Sequence, residues 1–366
     1  MTRQRSISRR DTLKAAAAWG AAPLWGCSSG GDAPPPATAR TWRMGFSGLP
    51  PRPNLTDAQR TIDTWSPRAE IAAIHEELPW TDLLAGVTPD AILQRDKVGL
   101  VNYYRSKGLQ LMFMADLTDG LSRGQEASQL RALGRSIAEP AVQQVYRNYV
   151  LAVMRVLQPE YIGLAAETNL VRAAAPALYA SVKQAANAAA ADLHNAAFGG
   201  AVFISVQVET AWGKLGVAGP FVGIAADRAD FAFTQMIGLS SYPYFGYATP
   251  EDIPADYYSR LLTGAAPLPM MQVEGGWPSV GATANGVTFG SSPALQARYV
   301  ARIAPLLDSV VARGWIQLEF VDIDPASFPQ PIPPNLPLFV TLGFVDSNFT
   351  AKPALAQWDT LFARPR

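Results

Sequence analysis

Beyond Cys27 the sequence contains no cysteine, so no disulfide can form within the chain and no thiol nucleophile serves the rest of it. Histidine is almost as scarce. His75 and His194 are the only two, and their separation offers none of the His-rich spacings of a catalytic zinc site. No Gly-x-Ser-x-Gly phrase follows an apolar run, which argues against a serine-hydrolase elbow. No glycine-rich phosphate loop follows the first apolar run either, which argues against a doubly wound nucleotide fold. Charged residues make up only 16% of the chain, with 30 cations balancing 30 acids. Arg3, Arg5, Arg9, Arg10 and Lys14 crowd into the first 26 residues beside a single acid, Asp11, leaving the remainder mildly acidic. Nucleic acid is therefore a poor partner, because phosphate binding needs clustered cations.

What is present in quantity is apolar side chain, 49% of the residues, together with 29 glycines and 30 prolines, a composition suited to a large core and many shaped loops. The N-terminal stretch "SISRRDTLKAAAAWGAAPLWGC" has a basic start, an apolar segment too short to span a bilayer easily, and small residues before Cys27. It resembles a bacterial twin-arginine export signal, and "LWGC" resembles a lipoprotein processing site. The expectation is an export signal over 1–26, acylation of Cys27 and a flexible tether over 27–41. The chain would then be anchored to a membrane through Cys27, in the bacterial envelope or periplasm.

From Trp42 onward short apolar runs alternate with longer Ala/Leu-rich segments of helical period. Eight runs are countable: "WRMGFSG", "EIAAIHE", "LQLMFMAD", "YIGLAAE", "AVFISVQVE", "QMIGLSSY", "LPMMQVE" and "WIQLEFVD". Most are continuously apolar, as parallel strands covered on both faces must be. Eight strand–helix repeats predict one (β/α)8 TIM barrel over 42–366, in the α/β class.

In such barrels chemistry is built at the C-terminal ends of the strands. Those ends supply Glu76 and Glu77, Asp116, Glu167, Glu209, Tyr242 and Tyr244, Glu274, then Glu319 and Asp322. Hydrolysis of a glycosidic bond needs two carboxyls of opposite protonation, and Glu167 on the fourth run and Glu274 on the seventh can face each other across one mouth. Glu209 beside Trp212 competes for the acid role. A strand-end histidine such as His75 reads first as a hydrogen-bonded wall residue. Glu76, Glu77 and Asp116 leave an all-oxygen cation site open.

An acid on the fourth strand, a tyrosine on the sixth and an acid on the seventh resemble the layout of clan A retaining glycoside hydrolases. "IGLSSYPYFG" (237–246), "MMQVEGGWP" (270–278) and the closing "GFVDSNFTAKPALAQWDTL" (343–361) are similar to phrases of glycoside hydrolase family 53, the arabinogalactan endo-β-1,4-galactanases. The resemblance implies Glu274 as nucleophile, Glu167 as acid/base and Tyr242 as the hydrogen-bond partner that orients the nucleophile. It also implies Trp277 as a stacking face for a sugar. Trp212, Tyr244, Asn169, Glu209, Asp116, Glu76 and Glu319 complete the expected substrate contacts. No cofactor and no metal is implied, and the chain is expected to act as a monomer on a carbohydrate. Two departures accompany the likeness: Ala166 stands where the family has asparagine before its acid/base, and Leu318 and Glu319 stand where it has tryptophan. A second expectation is accordingly a carbohydrate-binding lipoprotein that has lost hydrolysis.

Overall fold

Each of the eight apolar runs forms one strand of a closed, all-parallel barrel in the computed structural model, which describes residues 38–366 apart from Ala218. The expected export signal, Cys27 and most of the expected tether lie outside the described residues. The barrel strands are β1 (Arg43–Ser47), β2 (Ile71–Glu77), β3 (Gln110–Asp116), β4 (Tyr161–Gly163), β5 (Ala201–Gln207), β6 (Met236–Ser241), β7 (Met270–Gly275) and, after a small hairpin of β8 (Ala282–Ala284) and β9 (Val287–Phe289), β10 (Ala312–Gln317). Neighbours follow chain order around the ring, and β10 closes it against β1 through Arg43↔Gly314 to Phe46↔Gln317.

Strand alternation sorts the core into two layers. Ile71, Ala73, Met112, Met114, Phe203, Met236, Met271 and Ile316 fill the barrel interior. Their neighbours Ala72, Ile74, Leu111, Phe113, Ile204, Ile237 and Leu239 face outward into the layer shared with the helices. Each such Ile, Leu, Met or Phe side chain contributes about 1.5–3 kcal/mol when fully buried. The helix Pro140–Leu157 shows how that outer layer is covered. Proline at its first turn sets the entry, Val142, Tyr146, Tyr149, Val150, Val153 and Leu157 recur on one buried face, and Gln158 ends it in the left-handed conformation at φ 49°.

Two boundaries differ from expectation. Residues 38–41 belong to the barrel rather than to a tether, because the buried Arg40 guanidinium reaches Glu70 at 2.6 Å and its backbone N–H donates to Pro365 at 2.8 Å. The fifth strand stops at Gln207, whose side chain accepts from the N–H of Thr210 at 2.7 Å and so caps the short helix Val208–Ala211. Glu209 is therefore a helical residue and no longer a strand end.

Candidate active site

Alternation alone would aim Glu274 the wrong way. Met271 and Val273 both face the barrel interior, so the next residue should point outward. A β-bulge corrects this: pairing between β6 and β7 runs Leu239↔Gln272 and then Ser240↔Glu274, leaving Val273 as the extra residue. Glu274 thereby turns into the mouth of the barrel. Gly275 completes the turn at φ 149°, with its backbone so close to β6 that a Cβ would sit 2.2 Å from the Ser241 carbonyl oxygen. Only glycine fits there.

Glu167 arrives by another irregularity. Past β4 the chain keeps bonding to β5, with Leu164 N–H donating to Phe203 and Ser205 N–H donating to Ala165, both at 2.9 Å. Glu167 then takes φ 46° and ψ 45°, and its N–H donates to the Ser205 hydroxyl at 2.9 Å. The left-handed region costs a residue with a Cβ about 1–2 kcal/mol, and such outliers gather where side-chain aim matters.

Between the two glutamates runs a chain of alternating charge. Arg123, buried in the loop after β3, donates from Nε to Glu167 at 2.6 Å and from Nη1 to Asp116 at 2.5 Å. Asp116 also meets His75 Nε2 at 2.8 Å, and His75 Nδ1 lies 3.2 Å from Glu274. The Ser240 hydroxyl donates to the other Glu274 oxygen. The order is thus Glu167, Arg123, Asp116, His75, Glu274.

This chain sets the protonation of its members. Burial disfavours the imidazolium of His75, but the Glu274 and Asp116 carboxylates outweigh it and raise the pKa to about 10. Burial also works against an ionised Asp116, yet Arg123 and His75 hold its carboxyl well below the usual range. For Glu274 burial is again overcome, by the positive charge and hydrogen bond of His75 and by Arg123, and the pKa is lowered. Glu167 goes the other way, since burial raises its pKa and the Glu274 charge adds to that against the pull of Arg123. One acid is held ionised while its partner favours the proton.

Both glutamates line a single cavity of about 430 Å³ at the C-terminal mouth of the barrel. Asp116, Tyr242, Glu76 and Glu319 line it as well, alongside His75, Arg123 and Lys97. Tyr242 does not take the expected orienting role: among the described residues, Glu274 is hydrogen-bonded by Ser240 and His75, whereas the Tyr242 backbone N–H donates to Glu209 at 3.0 Å. Glu76 accepts from the Tyr149 hydroxyl at 2.9 Å and pairs with Lys97. Glu319 is buried, and its carboxyl is raised well above the usual range by that burial and by the charge of Asp322.

Five expected contacts lie elsewhere. Trp277 is fully buried in the outer layer, donating to the Ser291 hydroxyl at 3.0 Å with its ring 5.9 Å from that of Tyr299. Trp212 donates to the Tyr257 carbonyl at 3.0 Å and stacks on the Tyr257 ring. The Tyr244 hydroxyl is bound to the Leu338 carbonyl at 3.1 Å. Asn169 joins two segments by donating to the Gln207 carbonyl and accepting from the Gln207 N–H, both at 2.8 Å. Glu209 is enclosed by donors, with Gln207 Nε2 at 2.5 Å, the Tyr242 N–H and the Tyr257 hydroxyl all directed at it. Each is spent on packing, and none borders the cavity. The open cation site is not formed either. Glu77 accepts from the Ser128 N–H at 2.8 Å, and among the described residues no cluster of His, Cys, Asp and Glu suits a metal ion.

Arg123 and Ser240 are the contributors that the sequence reading missed. Period-two alternation from Met236 would have turned Ser240 inward, but nothing in "LSRGQEAS" marks Arg123 as a residue that folds back into the barrel.

A parallel barrel with paired acids at its mouth is the architecture of many glycoside hydrolases, and the solved structures similar to this chain include several. GH5_18 from Bifidobacterium longum subsp. longum matches over 88% of this chain and 79% of that one, at 14% identity and a TM-score of 0.64. Exo-β-1,4-mannosidase Op5Man5 from Opitutaceae bacterium strain TAV5 matches over 88% and 59%, at 14% identity and a TM-score of 0.63. β-Glucuronidase 2 of Bacteroides uniformis, solved covalently bound to cyclophellitol-6-carboxylate aziridine, matches over 88% and 35%, at 12% identity and a TM-score of 0.56. The chain spans 35% to 51% of the length of that protein and of two Ruminococcus gnavus β-glucuronidase structures. At these identities the likeness establishes the fold. No protein-family model and no curated protein matches the sequence.

Proposed function

We propose that the chain is a retaining β-glycosidase in which Glu274 attacks the anomeric carbon and Glu167 protonates the leaving oxygen, then takes a proton from the water that releases the glycosyl-enzyme. The observation that carries this reading is that two buried carboxyls, Glu167 and Glu274, line one cavity, with burial raising the pKa of the first and His75 lowering that of the second against burial. His75 and Ser240 would hold the nucleophile ionised and aimed, and Tyr242 would form part of the sugar-binding wall. Within the cavity Arg123 is paired with Asp116 and Glu167, His75 with Asp116 and Glu274, and Lys97 with Glu76, which favours a neutral sugar over a uronate. The finer kinship with family 53 rests on the sequence phrases around Tyr242 and Glu274. Export and lipid anchoring at Cys27 rest on the N-terminal pattern alone, and action as a monomer remains part of the proposal.

A second reading, a sugar-binding protein without turnover, draws on the Arg123–Glu167 ion pair at 2.6 Å and on Ala166 in place of asparagine. One experiment separates them. The unmodified protein and Glu274→Gln are incubated with neutral β-glycosides and with a 2-fluoro glycoside, followed by peptide mass spectrometry. Turnover lost in the variant and a glycosyl adduct on Glu274 are the expected results. Equal turnover in both proteins removes Glu274 as nucleophile, and sugar binding without turnover or adduct favours the second reading.

A further inference from the structure

The cavity wall has two different halves. Around the ring, the segments just after β4 and β6 and the end of β7 carry Glu167, Tyr242 and Glu274, while the segments following β10, β1, β2 and β3 occupy the other side. That second side presents Leu318, Ile323 and Leu336 after β10, Leu49 after β1, Leu100 after β2 and Leu121 after β3, beside charged groups already engaged within the protein, Glu76 with Lys97 and Glu77 with Ser128, and the buried Glu319. None of the six is fully buried, and Leu49 is 41% exposed. Aliphatic side chains on a barrel usually sink into a core layer. Here six from the segments that follow four different strands line one cavity.

The aliphatic part of this wall offers no hydrogen bond to a sugar hydroxyl. A hydroxyl pressed against it would lose its water partners without replacement, whereas an apolar group would shed water favourably. The tryptophans that would have given a polysaccharide its stacking faces, Trp212 and Trp277, are engaged in the outer layer, and neither reaches the cavity. The volume, about 430 Å³, also suits a compact ligand better than a long extended chain.

We propose that the cavity selects β-glycosides of apolar alcohols or phenols, with the aglycone seated on the wall formed by Leu49, Leu100, Leu121, Leu318, Ile323 and Leu336. This inference rests on the glycosidase reading above and adds the identity of the leaving group. The sugar ring stands over Glu167 and Glu274 and the released alcohol departs along the aliphatic wall, protonated by Glu167.

The test compares kcat/KM for octyl and methyl β-glycosides of one neutral sugar, whose leaving alcohols have similar acidity, with the matching β-linked disaccharide. Each is assayed on the unmodified protein, Leu100→Asn and Leu336→Asn. The expected result is a preference of at least about tenfold for octyl over methyl and over the disaccharide, since even single methylenes in a fitted pocket are worth that much. Both variants are expected to shrink the octyl-to-methyl ratio. A disaccharide cleaved as well as the octyl glycoside overturns this inference and leaves the glycosidase reading standing, as does a ratio that neither variant moves. No hydrolysis of any of the three overturns both.

Discussion

His75 is the residue on which the electrostatics of the mouth turn. As a bare sequence feature it reads as a wall histidine, and it is indeed hydrogen-bonded on both ring nitrogens. The partners are Asp116 on one side and Glu274 on the other, and together they keep the ring protonated across the neutral range. Its charge in turn is a main reason why Glu274 stays ionised despite burial. Replacing His75 by Gln keeps a polar side chain and removes the charge, so the Glu274 pKa should rise. The acid limb of kcat/KM against pH should then move upward by about one unit or more, the usual effect of losing a close opposite charge. A limb that stays in place while overall activity drops would show that His75 only positions its neighbour. Arg123 has a different reach: it touches Asp116 and Glu167 directly and acts to lower the pKa of both carboxyls.

At the scale of elements, the strands were legible because a parallel strand buried on both faces must be apolar, and every run counted in the sequence became a barrel strand. Short elements were not. The β8–β9 hairpin within 278–292 has too few residues to show a period, and β4 has three strand residues before the chain turns irregular toward Glu167. The site divides in the same way. Glu167 and Glu274 could be located from their strand ends, but the aim of residues beyond those ends is set by bulges and loops that leave no periodic trace. Trp277, three residues after Glu274, illustrates the cost: the turn through Gly275 carries it out of the mouth and into the outer layer. Gly275 is thus the turn that separates Glu274 in the mouth from Trp277 in the outer layer. Gly275→Ala should destabilise the fold by about 2 kcal/mol, because its Cβ would collide with the Ser241 carbonyl oxygen at an unfavourable φ. Urea denaturation reads that loss, and kcat should fall further than the lost folded fraction accounts for, since Glu274 adjoins the strained residue. A variant as stable and as active as the parent would mean that the bulge tolerates what the geometry forbids.

At the scale of the whole molecule, the shifts of Glu209, Asp322, His75, Asp116 and Glu274 predict a stability maximum on the acid side of neutrality. Burial raises the Glu209 carboxyl to about 7, and burial likewise raises that of Asp322 to about 6 against the pull of Lys352. His75 is raised to about 10 by the carboxylates that overcome its burial. In each case the folded chain holds a proton that the unfolded chain releases at lower pH, so raising the pH favours unfolding. Stability from these groups is complete below their unfolded values and declines as the pH climbs through about 6, 7 and finally 10. Asp116 and Glu274 act in the opposite sense: their lowered values mean that stability is lost when acid protonates them. The two trends cross in mildly acidic solution. Urea midpoints measured at pH values from about 3 to 10 should therefore pass through a maximum near pH 5 and fall steadily on the alkaline side. His75→Gln should flatten the alkaline part of that fall, because the variant has no proton to surrender there. A midpoint that climbs continuously from pH 5 to 9 would mean that the paired charges at the barrel mouth do not govern the stability of the fold.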